Sequence, residues 1–140
     1  MQLVYSLKNE LASDSGQVAT AQALTLDLSR PFGLKGTFGL FGSDEWWQSI
    51  EAGRLQKTEL EGVITLLGRV GMHNESPVFN AHLDNGDHYT YDTVADTKKG
   101  VKKYIVGKRI KIVLVRDPLK SPSTSRGTHS EIVIEIWVDE

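Results

Sequence analysis

The chain has no cysteine, and that single absence removes disulfide scaffolds, thiolate nucleophiles, iron–sulfur clusters and cysteine-ligated zinc. The fold must stand on packing alone. No apolar run approaches the roughly 18 residues of a membrane-spanning helix, and Met1 to Lys8 lack a basic leader followed by a long apolar stretch. A soluble, cytoplasmic protein is the expectation. An excess of charge of either sign is also missing on average: 16 Lys+Arg against 18 Asp+Glu leave a formal −2, which taken alone predicts no polyanionic partner. With 140 residues, 39% hydrophobic and 24% charged, the composition is ordinary for a globular protein and gives no reason to expect disorder. That length buries one core and is short for two, so a single domain over 1–140 is expected.

What is present is alternation with period two, interrupted by Gly, Asn, Asp and Ser, which reads as a mainly β protein. Leu3, Tyr5 and Leu7 alternate with Val4, Ser6 and Lys8. Ser13-Asp14-Ser15-Gly16 supplies turn chemistry, and Leu24, Leu26 and Leu28 share one face of a stretch ending at Arg30-Pro31. Together these predict an N-terminal β-hairpin. Gly33, Gly36, Gly39 and Gly42 then recur at every third position among Phe32, Leu34, Phe38, Leu40 and Phe41. No Gly-Lys-Ser/Thr follows and the spacing fits no nucleotide fingerprint, so a bent, closely packed β segment is favoured over a phosphate loop. Ser43 to Gly53 carries a helix signature: a capping Ser43, Asp44 and Glu45 at the positive end, and an exit glycine. Trp46 and Trp47 point about 100° apart on such a helix, so one is core and the other is free to make contacts.

From Thr58 the elements read β-β-β-α-β-β. The strands are Thr58 to Val70 (bent or bulged at Gly62), Val78 to Leu83, His88 to Val94, Arg109 to Arg116 and Ile132 to Val138, with a helix over Asp96 to Val106. That order, the long glycine-containing first strand and Gly107-Lys108-Arg109-Ile110-Lys111-Ile112-Val113 resemble the OB-fold, a small Greek-key barrel. The resemblance covers Thr58 to Val138 and lies at the level of element order. It implies an OB-like barrel over 58–140, with residues 1–57 packed on it as a hairpin, glycine-rich segment and short helix. Folds of this kind commonly bind single-stranded nucleic acid or oligosaccharides.

The near-neutral average hides a polarised chain. Lys98, Lys99, Lys102, Lys103, Lys108, Arg109, Lys111, Arg116, Lys120 and Arg126 are opposed between them only by Asp117, a local balance of +9, and the remainder carries −11. On a helix the lysines at 98, 99, 102 and 103 fall at about 0°, 100°, 40° and 140°, while Val101, Tyr104 and Ile105 fall at about 300°, 240° and 340°. One face is ammonium and the other docks. Asp117 to Thr128, rich in Pro and Ser, reads as a polar loop beside a ligand face. With Tyr89, Tyr91, Trp46 and Trp47 as possible aromatic contacts, the leading reading is a binding domain for single-stranded nucleic acid. The alternatives are a protein-interaction or homo-oligomerisation module meeting an acidic surface, or a small-ligand or carbohydrate-binding barrel.

The tyrosines turn on register. A two-residue Asn85-Gly86 turn would set Tyr89 and Tyr91 opposite His82 and Asn80. A three-residue Asp84-Asn85-Gly86 turn sets them opposite Ala81 and Phe79, and this register is favoured because it gathers the apolar residues on one face. Chemistry is thin. His82 and His88 approach each other across the hairpin, but His73, His82, His88 and His129 show no metal-ligand spacing. His129-Ser130-Glu131 cannot form a triad along one strand, and Glu59 and Glu61 share a face as solvated pairs commonly do. No catalytic residue, metal or cofactor is expected.

Overall fold

The strand alternation and the turn residues shape most of the chain, seen in a computed structural model that describes residues 1–73, 76–123 and 127–140. In order the elements are β1 (Gln2–Ser6), α1 (Leu7–Ser13), α2 (Ser15–Leu26), α3 (Asp44–Glu51), β2 (Lys57–Val70), β3 (Ser76–Leu83), β4 (His88–Asp92), α4 (Lys98–Val101), β5 (Arg109–Ser123) and β6 (Gly127–Val138). The protein is mainly β, and from β2 onward the β-β-β-α-β-β order is present. The strands hydrogen-bond in the order β1-β6-β5-β2-β3-β4. This sheet is open, in contrast to the closed barrel expected. Its edges β1 and β4 form no ladder with each other; instead the connection after β4 binds β1, with Asp96 N–H donating to Val4 O at 2.9 Å and Ser6 N–H to the Asp96 carboxylate at 3.0 Å.

Two compact units divide the chain. The first comprises Met1–Leu7, Glu59–Val113 and Ile134–Glu140. Its core gathers Ile64, Phe79, Ala81, Ile110, Ile112 and Ile136, each fully buried. β2 and β3 are antiparallel with a register shift between Ile64 and Leu66, so the bulge falls three residues beyond the glycine expected to host it. Gly62 has a different role: a Cβ there would lie 2.2 Å from His82 O, so the two strands close up only because it has none. The β3–β4 turn takes the three-residue form. Gly86 sits at φ +95°, Leu83 N–H donates to Asp87 O at 2.8 Å, and Ala81 and Phe79 pair with Tyr89 and Tyr91.

The second unit comprises Lys8–Thr58 and Leu114–Val133. Here the expected hairpin is absent: after β1 the chain forms α1 and α2. The apparent strand period of Leu24, Leu26 and Leu28 misled, because Ala19, Ala21 and Ala23 with Gln17 and Gln22 favour helix. Asp14 caps α2 by accepting from Gln17 N–H. The inward positions are Val18, Ala21, Gln22, Leu24 and Thr25, whereas Leu26 and Leu28 are exposed. The glycine segment is also not a strand. Gly33, Gly36, Gly39 and Gly42 all adopt positive φ, giving a chain of turns touched by one β-bridge between Leu34 and Leu119. Of its aromatics Phe41 is buried and Phe32 is exposed.

The tryptophan helix forms as its caps predict, with Ser43 Oγ accepting from Trp46 N–H and Gly53 at φ +79°. Trp46 is fully buried, tilted against Phe41 at 5.1 Å, and donates its indole N–H to Asp117 Oδ2 at 2.9 Å. Asp117 belongs to β5, which continues to Ser123, so the stretch from 117 to 123 is strand and not the polar loop expected. Burial pushes the Asp117 carboxyl up, against the Trp46 hydrogen bond and His129 that lower it.

Two predictions follow from this packing. Gly39 (φ +103°) would place a Cβ 2.9 Å from the Trp46 backbone nitrogen, whereas Gly53 has nothing within 4 Å. Urea unfolding should show a loss of about 1 kcal/mol for Gly53→Ala and about 2–3 kcal/mol for Gly39→Ala; equal losses would mean that crowding at Gly39 is relieved cheaply. For Asp117, a folded-state pKa above the unfolded one means that the native state holds the proton more tightly. Its contribution is therefore fully present at low pH and is lost as pH rises from 3.8 through the raised value. The stability of Asp117→Asn relative to the parent should rise over that window and level off above it, whereas a pH-independent difference would contradict the raised pKa.

Candidate functional site

β2 stays apolar beyond the point where the first unit covers it. After the bulge, Leu67 pairs with Phe79 and Arg69 with Pro77, which puts Leu67 and Arg69 on the face that holds the buried Phe79. Tyr104 lies on Phe79 with ring centroids 5.3 Å apart and 21° between planes, and its hydroxyl donates to Val94 O at 2.6 Å. Burial, with Tyr91 and Asp96 adding to it, raises this phenol well above its ordinary value, so it stays a neutral donor. Thr97 caps α4 by accepting from Gly100 N–H at 3.1 Å. Gly100 is buried, and a Cβ on it would meet Ala95 Cβ at 2.8 Å and Val4 O at 3.5 Å, so α4 packs closely on β1. Val101 then faces the end of the β2–β3 pair. Leu67, Arg69, Val78, Val101 and Tyr104 line the resulting open groove of about 330 Å³.

The helix predicted over Asp96 to Val106 shrinks to Lys98–Val101, because Gly100 and the β-branched Val101, Ile105 and Val106 weaken it. Gly107 N–H donates to Ile64 O and Ile64 N–H to Lys108 O, which pins the 105–108 turn beside β2. Of the apolar face assigned to that helix only Tyr104 is buried; Val101 and Ile105 are exposed, as is Val106. Leu66 and Val70, which pair with Asn80 and Ser76, are exposed on the opposite face of the sheet, so the exposed apolar residues of the groove are Leu67 and Val101. Lys98, Lys99 and Lys102 are exposed beside it, and Lys103 is half-buried.

The other basic residues serve internal contacts. In the first unit Arg109 makes a bidentate pair with Asp84 (3.0 and 2.6 Å) and reaches Glu61 at 4.0 Å. The Arg109 hydrogen bond is the main cause holding the Asp84 carboxyl below its ordinary value. Lys108 Nζ donates to Asp139 O at 3.2 Å, and Lys111 Nζ sits 5.2 Å from the Trp137 ring. In the second unit Arg116 pairs with Glu131 at 3.8 Å and donates to Thr58 Oγ1. Lys120 closes the end of α2, donating to Leu24 O, to Asp27 O at 3.0 Å and to Arg30 O at 3.3 Å. Arg126 lies outside the described residues.

The aromatics divide in the same way. Trp46 is core; Trp47 is half-buried, edge-on to Trp46 at 4.8 Å, with Lys8 Nζ 5.3 Å from its ring. Tyr89 and Tyr91 are half-buried and stack at 6.2 Å on the face shared with Ala81 and Phe79. A second cleft of about 340 Å³ holds Glu59, Glu61 and Asp84 with Leu60, Leu83 and Asn85. His82 and His88 do meet across the hairpin, with rings 5.0 Å apart, and among the described residues no group of three metal-ligating side chains gathers. No helix among them is long and apolar enough to cross a membrane.

A family model described as immunity protein RhsI2 matches residues 1–139. The chain belongs to the RhsI2 immunity protein family. No curated protein matches it. Membership across nearly the whole chain overturns nucleic acid as the partner, because an immunity protein's partner is a protein. The placement of the charge gives the physical reason: Lys108, Arg109, Lys111, Arg116 and Lys120 are each held by contacts within their own unit and do not stand free for a polyanion. The protein-interaction alternative fits the family better. The sequence pattern alone does not single out Leu67 and Val101 as exposed apolar residues of a groove. The signal that the sequence does carry is that Leu66-Leu67 breaks alternation, Gly100 interrupts the expected helix and Gly107 follows it.

The division between structural and exposed lysines is measurable. Lys120→Ala removes a charged donor from three carbonyls and should cost about 1.5–3 kcal/mol in urea unfolding, whereas Lys98→Ala and Lys99→Ala should each stay within about 0.5 kcal/mol. Equal effects would contradict the division.

Proposed function

We propose that the protein is the immunity partner of an Rhs toxin, which it neutralises by binding the toxin directly and without chemistry of its own. The observation that carries this reading is the family match over residues 1–139. The open groove of the first unit supports it, since the exposed Leu67 and Val101 stand together in its lining and exposed apolar patches on soluble proteins mark interaction sites. Stable recognition takes about 800 Å² from each partner, with a few buried apolar or aromatic anchors carrying most of the energy. The open groove, with rigid walls in Tyr104 and Val78, is suited to receive such an anchor.

Co-expression with the cognate Rhs toxin should restore growth to cells that the toxin alone arrests. The purified pair should form a 1:1 complex of about nanomolar affinity. Failure to bind the toxin in both assays would refute the proposal.

A further inference from the structure

We propose that the groove lined by Leu67, Val101 and Tyr104, with its lysine edge, is the toxin-docking face, and that it receives an apolar side chain flanked by carboxylates on the toxin. This inference rests on the immunity reading above. Three observations carry it. First, the groove lies where β2 runs past its cover, so apolar side chains stand open in its lining; Leu67 is 43% and Val101 42% exposed. Exposing this apolar surface gives the free protein no stability, and burying it against a partner would be favourable at about 25 cal/mol per Å².

Second, the groove is rigid. The Phe79–Tyr104 stack, the Tyr104 hydroxyl on Val94 O and the packing of Gly100 hold its walls in place before any partner arrives. Little ordering entropy is then lost on binding.

Third, its charge has one dominant sign. Arg69 lines the groove, and Lys98, Lys99 and Lys102 follow the α4 wall. Among the described residues none of these four forms an ion pair, in contrast to Arg109 and Arg116. The nearby carboxylates are Asp96, which accepts from Ser6 N–H, and Asp92 at the end of β4. Cations placed around an apolar centre select an acidic rim on the partner and speed its approach. A second copy of this chain, whose remaining residues are acidic overall, is the competing occupant.

The test measures toxin binding and protection for the full chain and its variants. Val101→Glu should weaken binding about 30-fold or more and abolish protection at low expression. Leu67→Glu repeats the test at a second exposed position, and the thermal midpoint of each variant establishes that it is folded. Lys98→Glu with Lys99→Glu and Lys102→Glu should slow association about tenfold at low salt and remove most of its salt dependence, whereas Lys57→Glu, in the second unit, should do neither.

If the wild type binds and protects while folded groove variants stay within twofold of it, the docking face is wrong and the immunity reading stands. If the wild type neither binds nor protects, both fall. A wild-type dimer that Val101→Glu dissociates, with toxin binding unchanged, would assign the face to a second copy and overturn the proposal.

Discussion

The stack of Tyr104 on Phe79 is the contact on which the functional end of the protein depends. Phe79 is fixed by the β2–β3 and β3–β4 registers, and Tyr104 has its ring on Phe79 and its hydroxyl on Val94. Between them they tie the connection from β4 to β5 onto the sheet. Everything else at that end follows. α4 is only four residues long and could not persist alone, yet it is held between the Tyr104 anchor and the close contact of Gly100 with β1. Val101 and three lysines are thereby displayed on a fixed wall. The same connection occupies β1 through Asp96, which accounts for a sheet that stays open although its element order resembles that of a barrel.

Charge has two different uses in this chain. Arg109, Lys120 and Lys108 tie backbone carbonyls or carboxylates together within their own units, and Lys111 lies over an indole. Their positive charge is largely answered locally. Lys98, Lys99 and Lys102, with Arg69, have no such partner among the described residues, so their charge contributes directly to the potential that an approaching protein meets at that surface. A formal charge of −2 and a local run of +9 are both true of the sequence, and neither describes the surface until the internal pairs are subtracted.

Much of the fold was legible from residues. The order of elements after Thr58, the capped tryptophan helix with one buried and one half-buried indole, and the three-residue turn at Asp84-Asn85-Gly86 all follow from alternation, capping and turn chemistry. Local patterns misled where two periods compete. Leu24, Leu26 and Leu28 alternate as a strand does, but alanine and glutamine favour helix there and two of the leucines stay outside. The glycine repeat fits no phosphate loop and suggests a bent β segment, but positive φ at all four glycines excludes a strand. The candidate site was harder to see, because its residues look like core by type. Leu67, Val101 and Ile105 are apolar, and their exposure depends on where β2 outruns its cover and where a helix stops early.

Amide hydrogen exchange of the chain alone and with its cognate Rhs toxin tests the account most directly, since it reports contact residue by residue without altering the protein. The account predicts slowed exchange on binding for amides over 66–72 and 97–106, with the α2 and glycine-segment amides unchanged. Protection confined to the second unit, with 66–72 and 97–106 exchanging as in the free protein, would contradict it.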